Sequence, residues 1–234
     1  MVSENITFEC NGETIAATID WNANKDKPTI MCLHGGGSGN REKVAVFTKC
    51  FANEANISCI RFDHSGWGES SGASQQGSLK KRVEEALAAS QFMDLEKPLT
   101  IMGSSMGGPM VMELTWHLNV RNAILFCPAL YAVEAFDVPF GEEFAAILRS
   151  ENSFLRADTK MLENYTGNFL HIIGEHDNII PKGVTQLYEQ HIVHAAKREF
   201  ICIPNAGHQL YPFFAENKME QDKIFAQMLQ HIQN

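Results

Sequence analysis

No stretch of this 234-residue chain is both long enough and apolar enough to cross a bilayer, so membrane insertion is not expected. Positive charge is scarce: 19 Lys and Arg stand against 28 Asp and Glu, a net charge of −9. Nucleic acid and anionic membrane surfaces repel such a chain, and neither is expected as a partner. The opening Met1-Val2-Ser3-Glu4-Asn5 has no basic stretch and no long apolar run, so no signal peptide is expected. Internal repeats and low-complexity linkers are also missing. None of the six cysteines forms a Cys-x-x-Cys pair. Cys32, Cys59, Cys127 and Cys202 lie in apolar, strand-like runs, where a reduced thiol acts as a small buried hydrophobe. That usage suits a reducing cytoplasm, the expected location.

What is present is an ordinary apolar fraction, 44%, enough for a sizeable core. We read residues 1–234 as one domain. Residues 4–10 and 13–20 form two strands joined by Asn11-Gly12, a strong hairpin signal. From residue 29 onward, strands and helices alternate. Strands are expected at 29–33, 57–62, 98–102, 123–127, 169–173 and 199–203. Helices fill most of the gaps, and one at about 213–232 closes the chain. This alternation predicts an α/β fold with a mostly parallel sheet covered by helices on both faces. One connection, about 129–166, is far longer than a crossover needs and is rich in aromatic residues. We read it as a small cap over the mouth of the sheet.

The run Ile101-Met102-Gly103-Ser104-Ser105-Met106-Gly107-Gly108 is a strand, then Gly-x-Ser-x-Gly, then a helix start. This is the pattern of a nucleophile elbow, with Ser105 exposed on a turn too tight for side chains at Gly103 and Gly107. A serine hydroxyl needs a base, and the base needs an orienting acid. Asp177 follows the strand at 169–173, and His208 follows the strand at 199–203. The order Ser, acid, His, each behind its own strand, fits a catalytic triad. Glu175 is the alternative acid.

Leu33-His34-Gly35-Gly36-Gly37 supplies a candidate oxyanion hole, with the first N–H from Gly36 or, alternatively, Gly37. The second is the N–H of Met106. A phosphate loop is a poor reading of these glycines, because the Gly-Lys-Ser/Thr ending is missing. His34, Gly37, Tyr131, Phe136, Phe140 and Phe144 are expected to line the substrate pocket. Asp63 and His64 are read as structural. His191 and His194 lack the further ligands a zinc site needs, and Cys127 has no base behind it in the sequence. No metal and no cofactor is expected.

On these residues the chain resembles an α/β-hydrolase. The nearest branch holds small carboxylesterases, cinnamoyl (feruloyl) esterases, monoacylglycerol lipases and S33-type serine aminopeptidase-like proteins. The resemblance is carried by His34-Gly35-Gly36, Arg61-Phe62-Asp63 with Gly66-Trp67-Gly68-Glu69-Ser70, and Gly103 to Gly108. Gly174 with Asp177 and Pro181, and Gly207-His208, complete it. It implies an eight-stranded sheet, a Ser105–His208–Asp177 triad and oxyanion donors at Gly36 and Met106. Many relatives carry a bulky residue where this chain has Gly36. The implied partner is a small-molecule ester with a short, medium or aromatic acyl group. An acyl-thioesterase, an acyltransferase, a small-amide hydrolase and a silent acyl-binding protein are the alternatives, and a homodimer is compatible with any of them.

Overall fold

The structure, a computed structural model, describes residues 1–233. Asn11 and Gly12 both take positive φ, 53° and 78°, which gives a two-residue hairpin the twist of its strands. They join β1 (Val2–Cys10) to β2 (Glu13–Trp21) in antiparallel register. The alternating part follows as β3 (Ile30–Leu33), α1 (Arg41–Ala55), β4 (Cys59–Phe62), α2 (Leu79–Ser90), β5 (Leu99–Ser104), α3 (Gly107–Leu114) and β6 (Val120–Phe126). After a long connection come β7 (Asn168–Gly174), α6 (Lys182–His191), β8 (Lys197–Ile203), α7 (Leu210–Glu216) and α8 (Lys218–Gln233). The connection carries α4 (Glu142–Arg149) and the single-turn α5 (Lys160–Glu163).

The eight strands form one sheet in the order β1-β2-β4-β3-β5-β6-β7-β8. β2 pairs antiparallel with β1 and β4, and all later pairs are parallel. Helices cover both faces, as the unbroken apolar strands require. Phe126 of β6 packs with Phe47 of α1 and Tyr211 of α7. Phe169 and His171 of β7 face the other way, against Tyr188 of α6. β3 leads through α1 to β4 on one side, whereas β5 runs on to β6 on the other. The loops leaving β3 and β5 therefore diverge and open a crevice at the carboxyl edge of the sheet.

Two local expectations are corrected. The closing helix is two helices, because Asn217 leaves the helical conformation (φ −123°, ψ 75°) and its carbonyl accepts from Gln221 N at 3.0 Å as α8 begins. Asparagine is a good helix initiator, and its short amide also bonds the Phe213 carbonyl at 2.7 Å. Cys202 is exposed rather than buried, because β8 is the edge strand and only its end is covered.

Candidate active site

Ser105 sits between β5 and α3 with φ at +51°, a left-handed conformation that a residue with a side chain rarely takes. Its amide donates to the Phe126 carbonyl at 2.9 Å, and its own carbonyl accepts from Gly108 and Ala129. The turn is tight enough that a methyl group on Gly103 would lie 2.5 Å from the Gly107 carbonyl oxygen. One on Gly107 would lie 2.8 Å from the Leu33 carbonyl oxygen. The two glycines are thus needed for close approach of backbone to backbone. The loop after β3 lies directly against this elbow. A methyl group on Gly35 would sit 3.2 Å from Ser105 Cβ, and one on Gly36 would sit 3.1 Å from Met106 Cε. Among the described residues, neither the Gly36 nor the Met106 amide donates a hydrogen bond within the protein.

Asp177 follows β7 and His208 follows β8, and the two loops are laced together. Glu175 N donates to the Ile203 carbonyl at 3.0 Å, and His176 N to the Ala206 carbonyl at 2.8 Å. His208 Nδ1 donates to Asp177 Oδ2 at 2.9 Å. The other carboxylate oxygen accepts from the Ile179 and Ile180 amides at 2.8 and 3.0 Å. Burial works to raise the Asp177 carboxyl, but the His208 bond and the two amides outweigh it and hold the group below the usual carboxylate range. An ionised Asp177 fixes the proton on His208 Nδ1 and leaves Nε2 with its lone pair. Among the described residues, no hydrogen bond joins Ser105 to His208. Glu175, the alternative acid, instead accepts from the Asn205 amide at 2.9 Å.

Cys127 departs from its sequence reading. Its sulfur and donor atoms of Asp177 and His208 all lie within 4.8 Å of one another, so a base does stand beside it. Burial pushes its thiol up, however, and a thiol held protonated is no nucleophile.

The expected pocket residues divide into three groups. Tyr131 and Phe136 line a cavity of about 420 Å³ between α3, the start of α2 and the β6–β7 connection, with Leu79, Met110 and Glu113. Neither Ser105 nor His208 lines it. Phe140 and Phe144 do not line it: they pack edge to face with ring centroids 4.9 Å apart, Phe144 backs Tyr131 at 5.8 Å, and Phe140 meets Trp67 at 5.8 Å. His34 is fully buried, its Nε2 accepting from the His64 amide at 3.1 Å and its Nδ1 donating to the Gly35 carbonyl at 2.7 Å. Its ring supports the loop from behind. Gly37 is exposed at the turn, with φ at +60°.

Asp63 is buried and binds Arg41, whose guanidinium also reaches Glu69. His64 is buried against Glu85 at 2.6 Å, and burial raises the Glu85 carboxyl to about 7. His191 bonds Glu163 at 2.8 Å. Sequence reasoning missed Arg82 and Glu85, both about 1% exposed beside the glycine loop. The available signal was a charge at 82, on the apolar stripe of Leu79, Val83 and Ala86.

Comparison with known proteins bears on the fold and the family. No protein of curated function matches the chain. The structure of Est1E from Butyrivibrio proteoclasticus with ferulic acid bound is similar over 98% of this chain and 100% of that one, at 19% identity and a TM-score of 0.68. An α/β serine hydrolase homologue from Coxiella burnetii matches over 98% of both chains, at 17% identity and a TM-score of 0.70. A thioesterase domain from the curacin biosynthetic pathway covers 93% of this chain and 97% of that one, at 17% identity and a TM-score of 0.69. These likenesses establish an α/β-hydrolase fold. The serine aminopeptidase S33 family description matches residues 24–157, more than half of the sequence, and the chain belongs to that family of hydrolases.

Proposed function

We propose that this hydrolase is a serine carboxylesterase that acts through Ser105, His208 and Asp177. The observation that carries the reading is the Asp177–His208 hydrogen bond, which frees Nε2 to act as a base at the same sheet edge as the strained Ser105. In the reaction, His208 Nε2 takes the Ser105 proton as Oγ attacks the ester carbonyl. The Ser105–His208 contact closes as substrate binds, since such bonds are often loose in a free enzyme. The amides of Gly36 and Met106 stabilise the oxyanion, and their lack of internal partners supports that role. His208 then protonates the leaving alkoxide and activates the water that releases the acid.

The apolar side chains around the cavity support a short, medium or aromatic acyl group, and the β6–β7 connection serves as the cap. The likeness to a thioesterase domain favours thioesters as the second substrate class. The test is hydrolysis of p-nitrophenyl esters from acetate to dodecanoate by wild type and Ser105→Ala. Activity abolished by the substitution is expected. A variant as active as wild type would remove Ser105 from the reaction.

A further inference from the structure

The glycine loop beside Ser105 has every carbonyl from His34 to Gly37 committed. Gly37 O accepts from Trp67 Nε1 at 2.8 Å, and Gly36 O from the Gly39 amide at 3.0 Å. Gly35 O accepts from His34 Nδ1 at 2.7 Å and from Arg82 Nη1 at 3.3 Å, and His34 O accepts from the same Nη1 at 3.2 Å. A trans peptide points its C=O and its N–H in opposite directions. Holding the Gly35 carbonyl on Arg82 therefore turns the Gly36 N–H away from Arg82.

Arg82 is an unusual choice for this task. It is 1% exposed, and its Nε and Nη2 have no hydrogen-bond partner. Among the described residues it forms no ion pair: Glu85, the nearest counter-charge, is occupied by His64 and by the Ser65 amide. The guanidinium instead lies 4.4 Å from the Trp67 ring centroid and 5.5 Å from that of Phe140. Burial lowers its pKa to about 10, which leaves it cationic at neutral pH. Burying a guanidinium without an ion pair costs folding energy. Its position behind the peptides that face the elbow gives the charge a use.

We propose that Arg82 is a positioning residue for the oxyanion hole. Its Nη1 pins the His34 and Gly35 carbonyls so that the Gly36 amide is aimed at the developing oxyanion. Its charge, lying behind the same peptide, adds to the positive potential there. Trp67 and Phe140 wall the guanidinium from water, and Trp67 also holds the far end of the loop. This inference rests on the serine-hydrolase reading above.

The experiment compares wild type, Arg82→Met and Arg82→Lys on one p-nitrophenyl ester, with active sites titrated by a fluorophosphonate. In Arg82→Met, kcat per titrated site is expected to fall about 100-fold, the loss typical of one oxyanion donor, with KM within about threefold. A trifluoromethyl ketone, which forms an oxyanion on Ser105, should lose affinity by the same factor, while an uncharged alcohol with the same carbon chain binds as before. In Arg82→Lys the charge remains, but the shorter side chain does not bring its ammonium to the place Nη1 occupies between the two carbonyls, so kcat falls about tenfold. A merely structural Arg82 would lower the melting temperature and the titrated fraction but leave kcat per site unchanged, and that result overturns the proposal. If Arg82→Met does not fold, Arg82→Lys decides by the same criterion. A wild type without Ser105-dependent turnover would overturn the hydrolase reading itself, before any Arg82 variant is compared.

Discussion

Asp177 stays charged although its side chain is 1% exposed, because the Ile179 and Ile180 amides and the His208 imidazole share its two oxygens. An asparagine there keeps the shape and one acceptor, but it turns an NH2 toward His208. The imidazole must then accept at Nδ1 and carry its proton on Nε2, where it cannot serve as a base. Asp177→Asn is expected to lower kcat about 10³- to 10⁴-fold with little change in KM, as read by steady-state ester hydrolysis. Turnover within a few-fold of wild type would exclude Asp177 from the reaction. Thiol chemistry offers a second check at this scale. Cys50 and Cys202 are exposed, whereas Cys10, Cys32, Cys59 and Cys127 are buried. A disulfide reagent should therefore titrate two thiols in the native protein and six after denaturation. Rapid reaction of a third native thiol, mapped to Cys127, would contradict the buried setting of that residue.

Among the elements, the β6–β7 connection, α3 and the start of α2 together make the 420 Å³ cavity, with Phe136 on the side of the connection. The connection is fastened at both ends of a short stretch. Lys80 N donates to the Phe136 carbonyl at 3.1 Å, and Phe140 N donates to the Gly77 carbonyl at 2.7 Å. The wall is thus held in place, and a truncation there enlarges the cavity rather than collapsing it. Phe136→Ala should shift the chain-length optimum toward longer p-nitrophenyl esters while acetate hydrolysis stays within about threefold. An unchanged profile would mean that the acyl group does not enter this cavity. The helical stripe of α2 was legible in the sequence, since Leu79, Val83 and Ala86 recur at helical spacing. Its buried charges were not. The groups that surround Arg82 and Glu85 come from the loops after β3 and β4, far from α2 in the chain.

At the scale of the whole molecule, four histidines are fully buried: His34, His64, His171 and His231. Burial lowers His171 and His231 to about 4, and it holds His34 and His64 well below the ordinary value. The unfolded chain takes up these protons below about pH 6.5 while the folded chain does not. Stability therefore falls as the pH drops from about 6.5 to 4, by roughly 3 kcal/mol for a single group shifted this far. Glu85 acts in the opposite sense. Its folded value near 7 is raised, so its contribution is largest below the ordinary carboxylate value and is lost as the pH rises toward 7. Four histidines outweigh one carboxyl, and the melting temperature should drop between about pH 7 and pH 5. His171 has no partner for either ring nitrogen and lies among Phe169, Tyr188 and Phe200. His171→Phe should raise the melting temperature, and by more at about pH 5 than at about pH 8. An equal rise at both values would show that His171 does not titrate with unfolding.

Features that depend on neighbours a few residues away were legible in the linear order of residues. These are the Asn11-Gly12 hairpin, the alternation of strand and helix, the elbow around Ser105 and the rank order of Ser105, Asp177 and His208. Periodicity and turn chemistry act over short stretches of chain, so a linear reading captures them. What depends on strand order and on loops meeting across the sheet came from the folded arrangement alone. It paired Asp177 with His208, set Cys127 beside them, and placed the β3 loop against the elbow at the point where the sheet reverses direction. It also turned His34 and Arg82 into the buried frame of that loop. Burial and hydrogen-bond partners are properties of residues far apart in the chain, and no local pattern encodes them.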